Sequence, residues 1–364
     1  MNREGAARQG HRERLHRAFS LGLALALPAA IILAAAIGSV KIPLPEVLRA
    51  VWDPFGGGGP GASAGPGERE MYQVIVTMIR LPRAVLAALS GAALAVAGAA
   101  FQSVFHNPLA DPYVLGASSG AALGAAVAVV ANLSLSALGV GLAPVYAFVG
   151  ALAAVFLSYG LARRAGGPSP LALLLAGVVV GSCASAALSL VIYFSGEHLR
   201  QITFWLMGGF EGTTWRSILI VLPYMTLGGA LVFIRFRELD ALLLGDETAR
   251  GLGVDAERVR AFLVVGASLL TAAAVAVSGP IGFVGLVVPH LVRSVIGAEH
   301  RRLLPDVAMA GAILMVAADT LARTIIAPTE LPVGIVTALT GGPFFLWVLG
   351  RRRRFHPLGG RKAT

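Results

Sequence analysis

The sequence contains 364 residues, of which 56% are hydrophobic and only 13% are charged, and its mean hydropathy is +0.78. Soluble domains carry about 25% charged residues, so this composition excludes an ordinary soluble protein and indicates an integral membrane protein. The net charge of +10 comes from basic clusters between apolar runs, which is typical of cytoplasmic loops. A nucleic-acid partner is disfavoured, because aromatic and basic residues do not alternate.

Residues suited to catalysis or metal binding are sparse. The seven histidines are scattered without metal-ligand spacing, and the sequence has neither a phosphate-binding glycine loop nor a nucleophile elbow. The single cysteine, Cys183, lies in an apolar run and is predicted to be a small buried thiol. We therefore predict a non-enzymatic chain that binds no metal or cofactor. A membrane-embedded enzyme is the alternative, with His290 as its one candidate, although His290 is better explained by hydrogen bonding at a helix end.

The apolar runs predict an all-α, polytopic membrane protein with about ten crossings. A basic cytoplasmic tail, residues 1–17, precedes the first span at 18–37, for which a cleaved secretory signal is the alternative. The glycine- and proline-rich middle of 41–70 predicts a flexible external loop. A second basic tail at 351–364 places both termini in the cytoplasm. The later spans are predicted at 74–105, from 116 onwards, and at 143–161, 171–194, 217–234, 261–277, 279–293, 305–321 and 335–349.

One predicted span is too short to cross a membrane unaided. The apolar part of 279–293 has about 12 residues, whereas a ~30 Å hydrocarbon core requires about 20. It predicts a half-length helix whose ends are buried in protein, a feature typical of transporters. Glycines four residues apart, at 116, 120 and 124 and at 177 and 181, predict close helix packing. Asp319 and Arg323 lie one helical turn apart and are able to pair.

The polar stretch 235–260 is the longest dense run of mixed charge between apolar segments. Within it, LGDETARGLG at 244–253 predicts a short helix between glycines. Asp246 and Glu247 occupy the first turn, where negative charge is favourable, and Arg250 follows where positive charge is tolerated. Such an element is either a docking site for another protein or a solvated loop.

Six motifs in order resemble the permease subunits of FecCD-type (type II) ABC importers, which take up iron chelates, haem and cobalamin. The resemblance covers about residues 71–350. The matching stretches are RLPR at 80–83, NPLADP at 107–112, WLMGGFEGTTWR at 205–216, LGDETARGLGV at 244–254, GPIGFVGLVVPHLVR at 279–293 and ELPVGIVTALTGGPFF at 330–345.

This resemblance implies a multi-pass permease domain at 18–350, in the plasma (inner) membrane. It implies ten helices per subunit and a homodimer with a translocation path along its two-fold axis. The implied partners are a second copy, two cytoplasmic ATPase subunits and a periplasmic or lipid-anchored binding protein. ATP and magnesium would bind the ATPase, so the chain itself needs no cofactor.

The resemblance also assigns roles to particular residues. Outer-side arginines are unexpected in a chain whose other basic residues are mainly inside, and an acidic binding protein would explain them. The docking residues for that protein would be Arg80, Arg83 and Arg323. The ATPase-coupling residues would be Leu244, Gly245, Asp246, Glu247, Arg250, Leu252 and Gly253. The gate and path would include Ser169, Pro170, Leu171, Ser182 and Ser185, with Ser189 beside them.

The leading interpretation is therefore an importer permease for an iron-siderophore or haem, and a cobalamin importer of the same family is the alternative. An ion-coupled secondary carrier is a remote alternative, because it requires acidic residues at the midplane. The predicted spans contain almost no acidic residues, and Asp319 is the exception. The sequence leaves the chelate open.

Overall fold

The computed structural model describes residues 3–38, 40–52, 66–135 and 140–354, and these residues are almost entirely helical. The predicted all-α class is confirmed; a two-residue strand pair, Ser134–Leu135 with Val140–Gly141, is a minor addition. The helices are α1 (Arg3–Ala36), α2 (Leu44–Trp52), α3 (Pro66–Val74), a π-helical turn (Ile75–Arg80), α4 (Leu81–Val104), α5 (Ala117–Val130), α6 (Ala143–Arg164), α7 (Pro170–Tyr193), α8 (Leu199–Met207), α9 (Trp215–Ile234), α10 (Phe236–Leu243), α11 (Asp246–Gly251), α12 (Ala256–Ser278), α13 (Val284–Ile296), α14 (His300–Thr324) and α15 (Val333–Arg354).

Each predicted span corresponds to a helix in the described part of the chain. Seven helical stretches are long and apolar enough to cross a membrane, and α5, α13 and the first part of α15 are shorter apolar helices. Helix α1 begins at Arg3, so the predicted N-terminal tail is continuous with the first span. Most of the predicted glycine-rich loop, and residues 355–364 of the second tail, lie outside the described residues.

Helix α4 is the centre of the fold and is almost completely buried. It packs against α9, α12, α13 and α14. Small side chains predominate in its sequence at 86–100, LAALSGAALAVAGAA, and they let neighbouring backbones approach closely. A Cβ atom added at Gly91 would overlap the carbonyl oxygen of Gly311 in α14, and one added at Gly98 would overlap that of Gly285 in α13.

Helices α5, α6 and α7 form a second closely packed group. A Cβ atom at Gly120 of α5 would overlap the carbonyl oxygen of Gly150 in α6, and the reverse also holds. One at Gly177 of α7 would overlap the carbonyl oxygen of Val114, just before α5. Gly120, Gly124 and Gly177 of the predicted stripes therefore mark true close contacts, whereas a Cβ atom at Gly181 would meet its neighbours at ordinary van der Waals distance.

The predicted half-length helix is confirmed as α13, which has 13 residues and so spans only about 20 Å. The non-helical segment 279–283 joins it to α12. Tyr113 holds this segment, because its hydroxyl donates to the carbonyl oxygen of Ile281 (3.0 Å) and accepts from the Ile281 amide (3.1 Å). The amide of Gly209 donates to the carbonyl oxygen of Ser278 (2.8 Å). These protein partners replace the water that irregular backbone would need in a membrane.

The contact between α4 and α13 gives a first test of the packing. We expect Gly98→Ala to destabilise the folded protein by about 1–3 kcal/mol, because the added methyl group must displace backbone rather than a flexible side chain. The measurement is the thermal unfolding midpoint of the detergent-solubilised protein. Gly22→Ala in α1 is the matched control, since no atom lies within 4 Å of the added Cβ. Equal midpoints for the two variants would contradict the assigned contact.

Candidate functional site

Residues 235–260, named the coupling segment after the docking role that the motif resemblance predicts, contain α10, α11 and the first turn of α12 between two membrane-spanning helices. Gly245 (φ +96°) precedes α11 and Gly253 (φ +81°) follows it. Both have positive φ angles, which glycine adopts without the steric cost that a side chain would bring. The predicted short helix between glycines is therefore confirmed.

The outward side of α11 combines exposed leucines with charged residues. Leu244 and Leu252 are each 63% exposed, and Glu247 and Arg250 are exposed beside them. Ala249, on the opposite side of the short helix, is completely buried. Exposed large apolar side chains on a rigid element, with charges around them, are typical of a surface that binds another protein.

The first anchor of the coupling segment is a Ser–His–Asp array whose serine and histidine are buried. Asp240 of α10 accepts hydrogen bonds from the backbone amide (2.9 Å) and Nδ1 (2.6 Å) of His300, at the start of α14. The Nε2 atom of His300 lies 2.9 Å from the hydroxyl of Ser103 in α4. Both His300 and Ser103 are completely buried, so no substrate can reach the hydroxyl. The array joins α10 to α4 and α14 and has no catalytic access.

The second anchor is an ion pair between α11 and α12. Arg260 is only 3% exposed; its Nη2 donates to Oδ1 of Asp246 (2.5 Å) and its Nη1 to the carbonyl oxygen of Pro168 (3.2 Å). His106 Nε2, from the α4–α5 connection, lies 3.6 Å from the same carboxylate oxygen. Asp246 was predicted to contact an ATPase, but its carboxylate is already bound within the chain.

The predicted gate residues form the turn at the start of α7. The Ser169 hydroxyl accepts a hydrogen bond from the Ala172 amide (3.2 Å) and so caps the helix. Pro170 is the first helical residue, where proline is tolerated because its missing N–H would have no helical partner. Leu171 is 66% exposed. The structure therefore places an exposed leucine at the helix start, and its role as a gate stays a prediction.

The predicted path residues lie on one outward face of α7. Ser182 and Ser185 are exposed, and the Ser185 hydroxyl donates to that of Ser119 in α5 (3.1 Å). Ser189 instead donates to the carbonyl oxygen of Ser185 in its own helix. Cys183 is also exposed, so the prediction of a buried thiol is wrong. The apolar sequence around Cys183 does not imply burial, because this face of α7 does not pack against the rest of the described chain.

The arginines predicted to dock a binding protein have partners in the chain. Arg83 binds Asp319 through Nε (3.0 Å) and Nη2 (2.9 Å) and binds Glu330 through Nη1 (2.7 Å). Arg323 Nε lies 3.2 Å from Asp319, which confirms the predicted pair one helical turn apart. Asp319 is 1% exposed, so one buried carboxylate is shared by two guanidinium groups.

The guanidinium of Arg80, a residue of the π-helical turn, reaches the C-terminal end of α1, where carbonyl groups lack helical partners. It donates to the carbonyl oxygens of Ala35, Ala36 and Val40. All three arginines are buried. Partners within the chain therefore account for their position without a binding protein. Their docking role stays a prediction.

The NPLADP motif shapes the connection between α4 and α5. The side chains of Asn107 and Asp111 each accept the amide of the residue two positions later, Leu109 (2.9 Å) and Tyr113 (2.8 Å). These are Asx turns, which replace helical hydrogen bonds locally. Burial raises the pKa of Asp111 to about 6, although its hydrogen bond from the Tyr113 amide lowers it. The turns place Tyr113 against the irregular segment before α13.

Metal binding receives no support from the described residues. Within the part of the chain that the structure describes, no three His, Cys, Asp or Glu side chains are grouped so that they could hold a metal ion. Ser103, Asp240, His300 and Arg260 are the residues that sequence reasoning missed as anchors. The first three lie far apart in sequence, so no local pattern could have found them.

The close-packed spans, the half-length helix and the anchored charged segment together define a helical membrane transport protein. Residues 25–351 match the FecCD transport family. The chain belongs to this family and is the permease subunit of an ABC importer, so the resemblance inferred from the motifs is confirmed.

Particular relatives cover most of the chain. It is 47% identical over 286 residues to the cobalamin import system permease protein BtuC of Halobacterium salinarum, covering 79% of this chain and 76% of that protein. It is 46% identical over 281 residues to the hemin transport system permease protein HmuU of Yersinia pestis, covering 76% and 83%. A solved structure, described as an inward-facing conformation of a metal-chelate type ABC transporter, matches with a TM-score of 0.77 and 30% identity, covering 91% of this chain and 98% of that one.

The shared carboxylate of Asp319 gives a test of the cluster that it forms with Arg83, Arg323 and Glu330. We expect Arg83→Gln to destabilise the protein by about 3–5 kcal/mol, because it leaves a buried charge incompletely paired. Arg258→Gln is the matched control. The Arg258 side chain pairs with Asp255 but is 89% exposed, so loss of this ion pair should cost at most about 1 kcal/mol. Thermal unfolding in detergent measures both.

A double variant separates pairing from packing in this cluster. Arg83→Gln combined with Asp319→Asn should destabilise the protein less than the sum of the two single changes. The reason is that Asp319→Asn removes the negative charge that Arg83→Gln leaves incompletely paired. Additive losses would show that the pair does not act as one unit.

Proposed function

We propose that this chain forms the translocation path for a bulky metal chelate, an iron-siderophore or haem, on its way into the cytoplasm. It works as a homodimer with two cytoplasmic ATPase subunits that bind ATP and magnesium. A periplasmic or lipid-anchored protein delivers the chelate to its outer face. The subunit lies in the plasma (inner) membrane with both termini in the cytoplasm.

The outward side of α11 is the observation that carries this proposal. Two leucines, Leu244 and Leu252, stand exposed at its ends, and Glu247 and Arg250 lie between them. Asp246, the first residue of α11, is bound to the buried Arg260, and Asp240 of the neighbouring α10 is bound to the buried His300. An anchored element of this kind can transmit a displacement to the spans, whereas a loosely attached loop cannot. This supports docking of the ATPase and disfavours a solvated loop.

The outward face of α7 supports a path for a bulky substrate. Helix α7 contains no charged residue, and its exposed side offers hydroxyl groups and aliphatic side chains. A second copy facing this side would complete a lining with no strong binding group. Such a lining suits a substrate selected by a separate binding protein. An ion-coupled carrier is disfavoured, because Asp319 is already neutralised by Arg83 and Arg323.

The relatives support chelates as a class without selecting one. Permeases for cobalamin and for hemin match the chain at 47% and 46% identity. Cobalamin is therefore supported as well as haem, and both are bulky metal chelates. The substrate has to be identified by transport.

Uptake by reconstituted protein tests the proposal directly. Liposomes carrying this permease and its cognate ATPase, with the binding protein added outside, are offered a ferric siderophore, haem or cobalamin separately. We expect ATP-dependent accumulation of one chelate and a faster ATPase when its loaded binding protein is present. Liposomes with a non-hydrolysable ATP analogue are the control. If no chelate accumulates and the binding protein never changes the ATPase rate, the proposal fails.

The coupling surface is tested by changing one exposed leucine. We expect Leu252→Asp to weaken binding of the ATPase about tenfold or more, since a charge would enter the apolar centre of the contact. Affinity is measured by titrating the ATPase onto the permease in nanodiscs. Leu48→Asp in α2 is the control. Leu48 is also exposed, at 39%, but α2 follows the first span, so we expect it on the opposite side of the membrane from the coupling segment. Equal affinity of the two variants would exclude Leu252 from the contact.

A further inference from the structure

Arg260 joins two segments that the proposed function requires to move. Its Nη2 holds Asp246, the first residue of α11, and its Nη1 holds the carbonyl oxygen of Pro168, two residues before α7 begins. One planar guanidinium therefore bridges the coupling helix and the turn that starts the exposed helix of the path. With only 3% of Arg260 exposed, it cannot itself contact an ATPase.

The turn that Arg260 holds is built to change position as a unit. Gly166 (φ +105°) and Gly167 (φ +116°) precede it, and neither has an atom within 4 Å of an added Cβ. These glycines form a joint with low steric resistance between α6 and the turn. Beyond the joint, Pro168 and Pro170 fix the backbone on both sides of the capping residue Ser169. A displacement of the Pro168 carbonyl is thus passed to the start of α7 rather than absorbed.

Other groups at this junction are arranged around the same carboxylate. His106 Nε2, from the α4–α5 connection, lies 3.6 Å from Asp246 Oδ1. His106 follows two residues after α4, which is buried on nearly all sides. The carboxylate of Asp246 therefore lies between the end of the central helix and the guanidinium that holds the turn before α7.

We infer that Arg260 is the positioning residue through which a displacement of α11 reaches the first turn of α7. The inference rests on the proposed function, since it needs an ATPase that moves α11. Arginine suits this role because its planar fork holds two acceptors in fixed directions, which a lysine ammonium cannot do. Loss of Arg260 should uncouple the turn from the coupling helix without removing the ATPase-binding surface.

Thiol labelling can follow the two ends of this connection separately. Cys183 is the only cysteine, so Cys183→Ala gives a background without thiols. Leu171→Cys then reports the start of α7, and Glu247→Cys reports contact with the ATPase, because both native residues are exposed. Each reporter is labelled with a membrane-impermeant maleimide in the complex with the cognate ATPase, with and without ATP.

With Arg260 present, we expect ATP to change the labelling rate at position 171 about tenfold, the scale of a typical coupling between sites. In Arg260→Met, the ATP-dependent change at position 171 should disappear, while the ATPase still protects position 247. Arg260→Lys should restore the change only in part. A purely structural role predicts instead that lysine restores it completely.

The outcomes separate the inference from the proposed function. An unchanged ATP response at position 171 in Arg260→Met, or full restoration by lysine, would overturn the inference alone. If Arg260→Met does not assemble, the lysine variant decides, because it keeps the charge beside Asp246. Absence of protection at position 247 with Arg260 present would overturn both the docking proposal and the inference that rests on it.

Discussion

The close approach of α4 to its neighbours is the constraint on which the rest of the structure depends. In a membrane, helices gain little from leaving lipid, so their association relies on van der Waals contact and on hydrogen bonds between them. Glycines at 91 and 98 bring α4 against the backbones of α14 and α13. This contact places the half-length α13 beside a full span. The irregular segment before it then meets Tyr113 and Gly209 rather than lipid.

Pairs of charged and polar side chains lie at the two ends of this packed centre. They hold together segments that helix packing alone would not fix. At one end, Asp240 and Asp246 attach the coupling segment to His300 and Arg260. At the other, Asp319 is shared between two arginines. Buried ion pairs add little net stability but are costly to break. They therefore fix relative positions of helices more than they increase the stability of the fold.

The sequence predicted features that depend on local spacing. The spans, the half-length α13, the short helix between Gly245 and Gly253, and the pair between Asp319 and Arg323 all follow from hydrophobic length or from a separation of one helical turn. The partners of Arg83 and Arg260 were not predictable, because Asp319 lies 236 residues from Arg83 and Pro168 lies 92 from Arg260. The prediction for Cys183 failed for a related reason: hydrophobicity does not tell whether a helix face meets protein or remains open.

Helix α14 connects the two charged ends of the molecule. It begins at His300, which is bound to the coupling segment, and it carries Asp319 near its other end. The two residues are 19 positions apart in the helix, a length of about 28 Å at 1.5 Å per residue. A tilt of about 5° around the inner end of such a rigid rod shifts the outer carboxylate by about 2 Å, enough to break a hydrogen bond. A single rigid helix thus carries both the histidine that binds residues 235–260 and the carboxylate that Arg83 and Arg323 share.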